Sequence, residues 1–410
     1  MAKYLVCVSD ERHASYEIER AILEKAGAEL KLCHCESAAD IAAQCADADA
    51  VLLDLAPMTA EAVAGLRKCK VISRYGVGFE NVDLDAATAA GIQVTNVPDY
   101  CMEDVSDHAL ALMLSCLRHI PLRDREVREG KWNIQADSFR LKGKTLGVIG
   151  AGRIARALIR KVSGFGFAEV VAYDPYISAE QLAEIGVRKV EKEELFRISD
   201  IISLHLHANA ETNGMICKET LALMKPTAIL INVSRGPLVK DEDLLDALRE
   251  RRILTAGLDT HNHEPLGAQS PFCQLDNVVL TDHTAYSTAE GVTELKTKAA
   301  QEAADADEAL QQMIGEFNLK RMAINTETAK EDDEKDTEKL ATLNRELREV
   351  YAQIMANEHM QAYNDAKTEL DKLTRGMMAI LNMAAQGLDP DTYEESEGCS
   401  GNCGSCSGCH

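Results

Sequence analysis

Val148-Ile149-Gly150-Ala151-Gly152-Arg153-Ile154-Ala155, residues 148–155, is the stretch from which the rest of the chain is read. The apolar run Lys144–Ile149 predicts a strand, and a helical pattern to about Val162 follows it. Between them each small residue has a duty. Gly150 permits the tight turn, Gly152 lets a pyrophosphate approach the backbone, and Ala155 is small enough for helix and strand to pack. The helix start leaves N–H groups around Arg153 and Ile154 free for phosphate oxygens. Asp174 stands 22 residues past Gly152, at the end of the next apolar run, Val170–Tyr173. There a carboxylate accepts hydrogen bonds from ribose hydroxyls and repels a 2′-phosphate. Pro175 and Tyr176 follow it rather than an arginine, so the expected cofactor is NAD rather than NADP.

Working outward, strand and helix patterns alternate on both sides of this turn. Upstream, Tyr4–Val8, Ala50–Leu53 and Val71–Ser73 predict strands, with helices over Ser15–Ala26 and Ala60–Leu66. Downstream, Ile201–His205, Ala228–Asn232, Thr255–Leu258 and Val278–Thr281 are short apolar runs bounded by turn residues. Such alternation implies parallel sheets. The expected fold is α/β, with two doubly wound Rossmann-like domains and a cleft between them, plus a C-terminal helical hairpin. The long apolar-faced helix Val105–Leu117 opens the second domain. Boundaries are expected at 1–100 with 287–320 for a flavodoxin-like substrate domain, 101–286 for the dinucleotide domain, 321–339 for an acidic linker, 340–397 for the hairpin and 398–410 for a cysteine-rich tail.

The 410 residues carry a net charge of -23, which disfavours a surface that tracks nucleic-acid phosphates. No apolar run reaches the roughly 18 residues of a membrane-spanning helix. The opening residues read as a first strand rather than a leader, since Asp10, Glu11 and Arg12 follow at once. A cytosolic protein is expected. Thirteen cysteines are present. Nine are scattered over the first 273 residues without framework spacing and read as reduced core thiols, Cys101 and Cys116 among them.

Eight blocks, in order, resemble the D-isomer-specific 2-hydroxyacid dehydrogenase family over about residues 3–320. They are Arg74-Tyr75-Gly76-Val77-Gly78, Asn96-Val97-Pro98, Gly130-Lys131-Trp132, Gly147–Ala155 with the turn itself, Ile231-Asn232-Val233-Ser234-Arg235-Gly236, Gly257-Leu258-Asp259, Glu264-Pro265 and Thr281-Asp282-His283-Thr284-Ala285. The resemblance implies an NAD-dependent reductase of 2-oxoacids, with Arg235, Glu264 and His283 as the catalytic set. A planar guanidinium suits a carboxylate beside a carbonyl. A histidine suits a proton exchanged near neutral pH, and a neighbouring carboxylate orients it. Backbone N–H groups of Gly76, Val77 and Gly78, in the loop opened by Arg74 and Tyr75, are placed to hold the substrate carboxylate. Asp259, His205, Thr212, Asn232, Val233 and His283 match positions lining the cofactor, Asp259 as the acid on the nicotinamide side. His207 and Asp282 depart from the family, which often has proline at both positions. The family also implies a homodimer, through about 101–140. Arg74 and Tyr75 make the substrate loop similar to the branch near the C-terminal binding proteins, which includes NADH-sensing regulators. The alternative function is therefore an NADH-sensing scaffold that recruits a protein partner through the helical extension.

Residues 326–410 hold 18 Asp and Glu against 8 Lys and Arg, an asymmetry that marks an appended module. Leu340, Leu343, Leu347, Val350 and Ile354, then Leu370, Leu373, Met377 and Leu381, recur at helical spacing. Residues 337–409 resemble the second half of the YlbF/YmcA family of small helical proteins. The spacing of Cys399, Cys403, Cys406 and Cys409 puts four thiolates within reach of one zinc ion or iron–sulfur cluster; a flexible tail that oxidises is the competing reading.

Overall fold

The computed structural model describes residues 3–304, Lys320 and residues 337–356. The chain divides into two units, Met1–Ala306 and Asp307–His410. The first holds two parallel sheets.

The first sheet contains β1 (Tyr4–Val8), β2 (Ala28–Leu32), β3 (Ala50–Leu53), β4 (Val71–Arg74) and β5 (Gln93–Asn96), in the order β2-β1-β3-β4-β5. Every pairing is parallel. Ala50-Val51-Leu52-Leu53 is buried at all positions, as befits a central strand covered on both faces. On one face lie α1 (Glu17–Lys25) and α12 (Ala289–Ala304). On the other, α2 (Ala38–Gln44), α3 (Ala60–Gly65) and α4 (Leu84–Ala89) close over Cys7, Val51, Leu53 and Ile72. The return of α12 to this sheet is fixed by polar contacts. Ser73 Oγ donates to the Ala299 carbonyl at 3.0 Å, and Lys296 Nζ lies 3.5 Å from Glu19 Oε2, both side chains buried. Breaking such a pair from one side leaves an uncompensated buried charge, at a cost of about 3–5 kcal/mol.

The second sheet is seven-stranded, with β6 (Thr145–Ile149), β7 (Glu169–Tyr173), β8 (Arg188–Lys189), β9 (Ile201–Leu204), β10 (Ile229–Asn232), β11 (Thr255–Leu258) and β12 (Val278–Leu280) in the order β12-β11-β10-β9-β6-β7-β8. The direction of strand succession reverses between β6 and β9, paired with Ile149 opposite Leu204. Gly150 therefore opens at the switch point, where parallel sheets bind ligands. Helix α5 (Met102–Arg118) buries Val105, Ala109, Leu112, Met113 and Cys116, one apolar stripe at helical spacing. It packs on β10, β11 and α7 (Arg153–Lys161). It stops at His119, whose φ of 51° is left-handed, and Pro121 opens the next helix, α6 (Ile120–Arg128).

Of the second unit, α13 (Thr337–Ala356) is described. It is described from Thr337, three residues inside the expected linker. The rest of the linker, the second hairpin helix and the tail lie outside the described residues. Among the described residues no helix is long and apolar enough to cross a membrane.

Candidate active site

The functional side chains sit on loops leaving the C-terminal ends of the two sheets. Gly150 has φ +83°, and a Cβ there would collide with the His205 backbone carbonyl. Glycine is obligatory at this turn. Gly152, the N-cap of α7, has open space where a Cβ would stand, and no side chain caps the helix. The free N–H groups beside Arg153 and Ile154 thus face an unfilled cradle, which fits a dinucleotide pyrophosphate. Asp174 accepts from Ala151 N–H and Tyr176 N–H, both at 2.9 Å. Two protein donors leave half of the four lone-pair sites of a carboxylate for ribose hydroxyls. His205 bonds Ser203 Oγ at 2.9 Å, and burial pushes its pKa down to about 4, so its ring is neutral at pH 7. Thr212 Oγ1 donates to the His207 carbonyl at 2.7 Å and shapes its own loop. Val233 is buried.

Arg235 follows β10 and is aimed by its neighbours. Asn232 donates to the Arg235 carbonyl at 2.9 Å and accepts from Ser234 N–H at 3.0 Å. A Cβ at Gly236 would strike the His261–Asn262 backbone, so this loop packs tightly on the next. The guanidinium bonds Glu80 Oε1 at 3.1 Å, from the loop after β4. That loop presses on it: a Cβ at Gly78 would overlap the Arg235 and Glu80 side chains. The N–H groups of Gly76, Val77 and Gly78 have no hydrogen-bond partner among the described residues, and remain available to an oxyanion. Arg74 Nη1 donates to the Tyr75 carbonyl.

Tyr75, in the loop expected at the substrate, turns its side chain into the core. The ring is 2% exposed, and the hydroxyl donates to buried Glu19 at 3.0 Å. The side chain anchors the loop from the core side instead.

His283 Nδ1 lies 2.7 Å from Glu264 Oε2, and Glu264 Oε1 accepts His261 N–H at 2.8 Å. Both side chains of the pair are about one-third exposed, open enough to meet a ligand. Burial raises the Glu264 carboxyl pKa, but bonds from His283 and His261 outweigh it and hold the group below the ordinary glutamate value. Asp259, expected at the nicotinamide, has its carboxylate wholly inside. It accepts from Thr281 Oγ1 at 2.7 Å, Thr284 N–H at 3.0 Å and Ala285 N–H at 3.1 Å, with His108 Nε2 3.3 Å away. Burial opposes its charge, yet His108 and these bonds hold its pKa down at about 2. These bonds fix the segment on which His283 rides at a φ of 58°.

The structure also brings in residues that motif reading missed. Asp54 follows β3, and its Oδ2 is 4.0 Å from His13 Nε2. Burial pushes Asp54 up to about 6 against the pull of Arg74. His13 Nε2 and Arg74 Nε are buried without a hydrogen-bond partner. Tyr286 sets its ring 6.5 Å from His283 and 6.4 Å from Tyr100. A usable signal existed: Asp10 and Asp54 end β1 and β3, the switch point of the first sheet. Cys399, Cys403, Cys406 and Cys409 lie outside the described residues.

The family model "D-isomer specific 2-hydroxyacid dehydrogenase, NAD binding domain" matches residues 110–285. The glyoxylate reductase of Korarchaeum cryptofilum is 39% identical over 250 residues, 60% of this chain and 75% of the relative. The chain belongs to the D-isomer specific 2-hydroxyacid dehydrogenase family. Another member, D-3-phosphoglycerate dehydrogenase of Mycobacterium bovis, is 41% identical over 257 residues, 62% of this chain. The chain spans about half the length of that relative, 48%. Among solved members of similar fold, the D-lactate dehydrogenase of Aquifex aeolicus, complexed with NAD and lactic acid, superposes with a TM-score of 0.64 at 26% identity, covering 72% of this chain and 93% of the other. A glyoxylate reductase from Paecilomyes thermophila gives 0.67 at 26%, covering 74% and 95%. The extension departs from the family: residues 293–384 match the model "Control of competence regulator ComK, YlbF/YmcA".

Proposed function

We propose that the chain is an NAD-dependent D-2-hydroxyacid dehydrogenase, acting as a reductase of short 2-oxoacids. The Glu264–His283 pair, together with Arg235 against the glycine loop, carries the proposal. NADH supplies the hydride for C2 of the substrate. Arg235 and the Gly76–Gly78 N–H groups bind the substrate carboxylate and polarise the adjoining carbonyl. With Nδ1 engaged by Glu264, His283 has Nε2 left to deliver the proton to the developing alkoxide, and to take it back in the reverse direction. Glu264, held ionised, stabilises the charged imidazole and fixes its orientation.

The distal end of the substrate meets Asp54, His13 and Arg74. Unpartnered buried donors beside a carboxylate favour a substrate with a polar group at C3, such as the hydroxyl of hydroxypyruvate, over a branched apolar 2-oxoacid. A second copy is proposed to pair through about 101–140, where Ile120, Val127 and Trp132 expose large apolar side chains. The test is NADH oxidation with a panel of glyoxylate, hydroxypyruvate, pyruvate and branched 2-oxoacids. Turnover led by the hydroxylated acid supports the reading, and a silent panel contradicts it.

The regulator-family match over residues 293–384 favours a second reading, in which the dehydrogenase fold senses NADH and the extension recruits a partner. NADH binding without turnover on any acid would favour it.

A further inference from the structure

Four cysteines far apart in sequence converge beneath the outer face of the first sheet, away from the cleft. Cys7 is the penultimate residue of β1. Cys33 and Cys35 follow β2, running beside β1, their N–H groups donating to the Val8 and Ser9 carbonyls at 2.9 Å. Cys45 caps the C-terminus of α2. The sulfurs of Cys7, Cys33 and Cys45 all lie within 4.8 Å of one another, and Cys35 is buried in the same cluster. All four are at most 3% exposed.

Packing alone does not call for this. Any small apolar residue fills a core gap, and a thiol is a weak hydrogen-bond donor. A disulfide would use two sulfurs and strand the others. Four thiolates around one zinc ion, at Zn–S of about 2.3 Å, stand about 3.8 Å apart, so the spacing of Cys7, Cys33 and Cys45 closes with small side-chain movements, and Cys35 of the same buried cluster supplies a fourth thiol. Charge is also provided for. Lys31 Nζ donates to the Gln44 carbonyl at 2.6 Å, and Cys33 Sγ meets the same carbonyl at 3.8 Å, so an ammonium stands beside the anionic cluster. His34, between two of the cysteines, is turned to solvent against Glu36 and is not a ligand.

We propose that Cys7, Cys33, Cys35 and Cys45 form a structural site for a single thiophilic divalent cation, zinc, that staples β1, the segment after β2 and the end of α2. Binding displaces the thiol protons and involves no redox step. The site is independent of the cleft.

The test uses the full chain with Cys399, Cys403, Cys406 and Cys409 changed to serine, so that only these thiolates are counted. The expected result is one zinc per chain by elemental analysis. After chelation and reduction, cobalt(II) should titrate to one equivalent with sulfur-to-cobalt charge-transfer bands and the intense visible bands of tetrahedral thiolate coordination. Adding Cys33→Ser or Cys7→Ser should abolish both signals. No thiolate–cobalt bands, bands unaffected by Cys33→Ser, or a disulfide among the three close cysteines in the untreated protein would each overturn the site. Should the serine variants fail to fold, the cobalt titration of the chain with its four core cysteines intact still decides.

Discussion

Glu264 Oε2 sits 2.7 Å from His283 Nδ1 while the other oxygen of Glu264 holds the His261 N–H. The carboxylate therefore sets the histidine's tautomer and is itself kept charged, below the ordinary glutamate pKa. Glu264→Gln keeps the shape and removes the charge. It should lower kcat by about tenfold or more, within the range assigned to acid–base catalysis, and move the basic limb of the kcat pH profile to lower pH, since imidazolium loses its anionic neighbour. A full pH profile checks it; an unmoved limb would separate Glu264 from the proton transfer.

Arg235 and Glu80 form an ion pair whose side chains are 27% and 41% exposed. Pairs this open are worth about 0–1 kcal/mol, so Glu80→Gln should change KM by no more than about fivefold. Arg235→Lys removes the planar fork and should raise KM by about tenfold or more, the equivalent of ~1.4 kcal/mol. Steady-state kinetics on both variants distinguishes a positioning contact from a substrate-binding one. Equal effects would contradict the assignment.

Asp54 links the cleft to stability. Its folded-state pKa is raised from 3.8 to about 6 by burial, so the folded state favours the protonated form. The resulting penalty is absent below about pH 3.8, grows as pH rises, and is complete above about 6. Asp54→Asn should therefore stabilise the protein by up to ~3 kcal/mol at pH 8, at 1.36 kcal/mol per unit. The gain should vanish near pH 4. Asp259 runs the other way. Its pKa, held down at about 2, contributes about 2 kcal/mol at neutral pH, and this is lost as pH falls from 3.8 toward 2. Urea unfolding across pH reads both.

Gly150→Ala should fail through the backbone. A left-handed φ costs a residue with a Cβ about 1–2 kcal/mol, and the His205 carbonyl blocks the space as well. NADH affinity, followed by nucleotide fluorescence, should drop by about tenfold or more. Wild-type affinity would place the cofactor elsewhere.

The sequence revealed most where one local rule was sufficient. The fingerprint named Gly150 and Asp174 because turn geometry and ribose chemistry act within one βαβ unit. Buried runs such as Ala50–Leu53 declared themselves by composition. Ala28–Leu32 has no continuous apolar run; its signal is the alternation of Ala28, Leu30 and Leu32 with Glu29 and Lys31, the period of a half-buried strand. Tyr75 was placed at the substrate because of its loop, yet burial opposite Glu19 took the ring into the core. Glu80 and the cysteine cluster depend on chain crossings between distant elements, which spacing along the sequence does not encode.

The central claim, that His283 trades a proton with a 2-oxoacid oxygen in an NADH-dependent reduction, is tested most directly by one paired measurement. NADH oxidation and NADH binding are followed together for the wild type and His283→Ala across the 2-oxoacid panel. The account predicts turnover by the wild type, led by hydroxypyruvate, and at least about a hundredfold loss in the variant with NADH binding kept. Turnover undiminished in His283→Ala, or a wild type that binds NADH and reduces no acid, would contradict it.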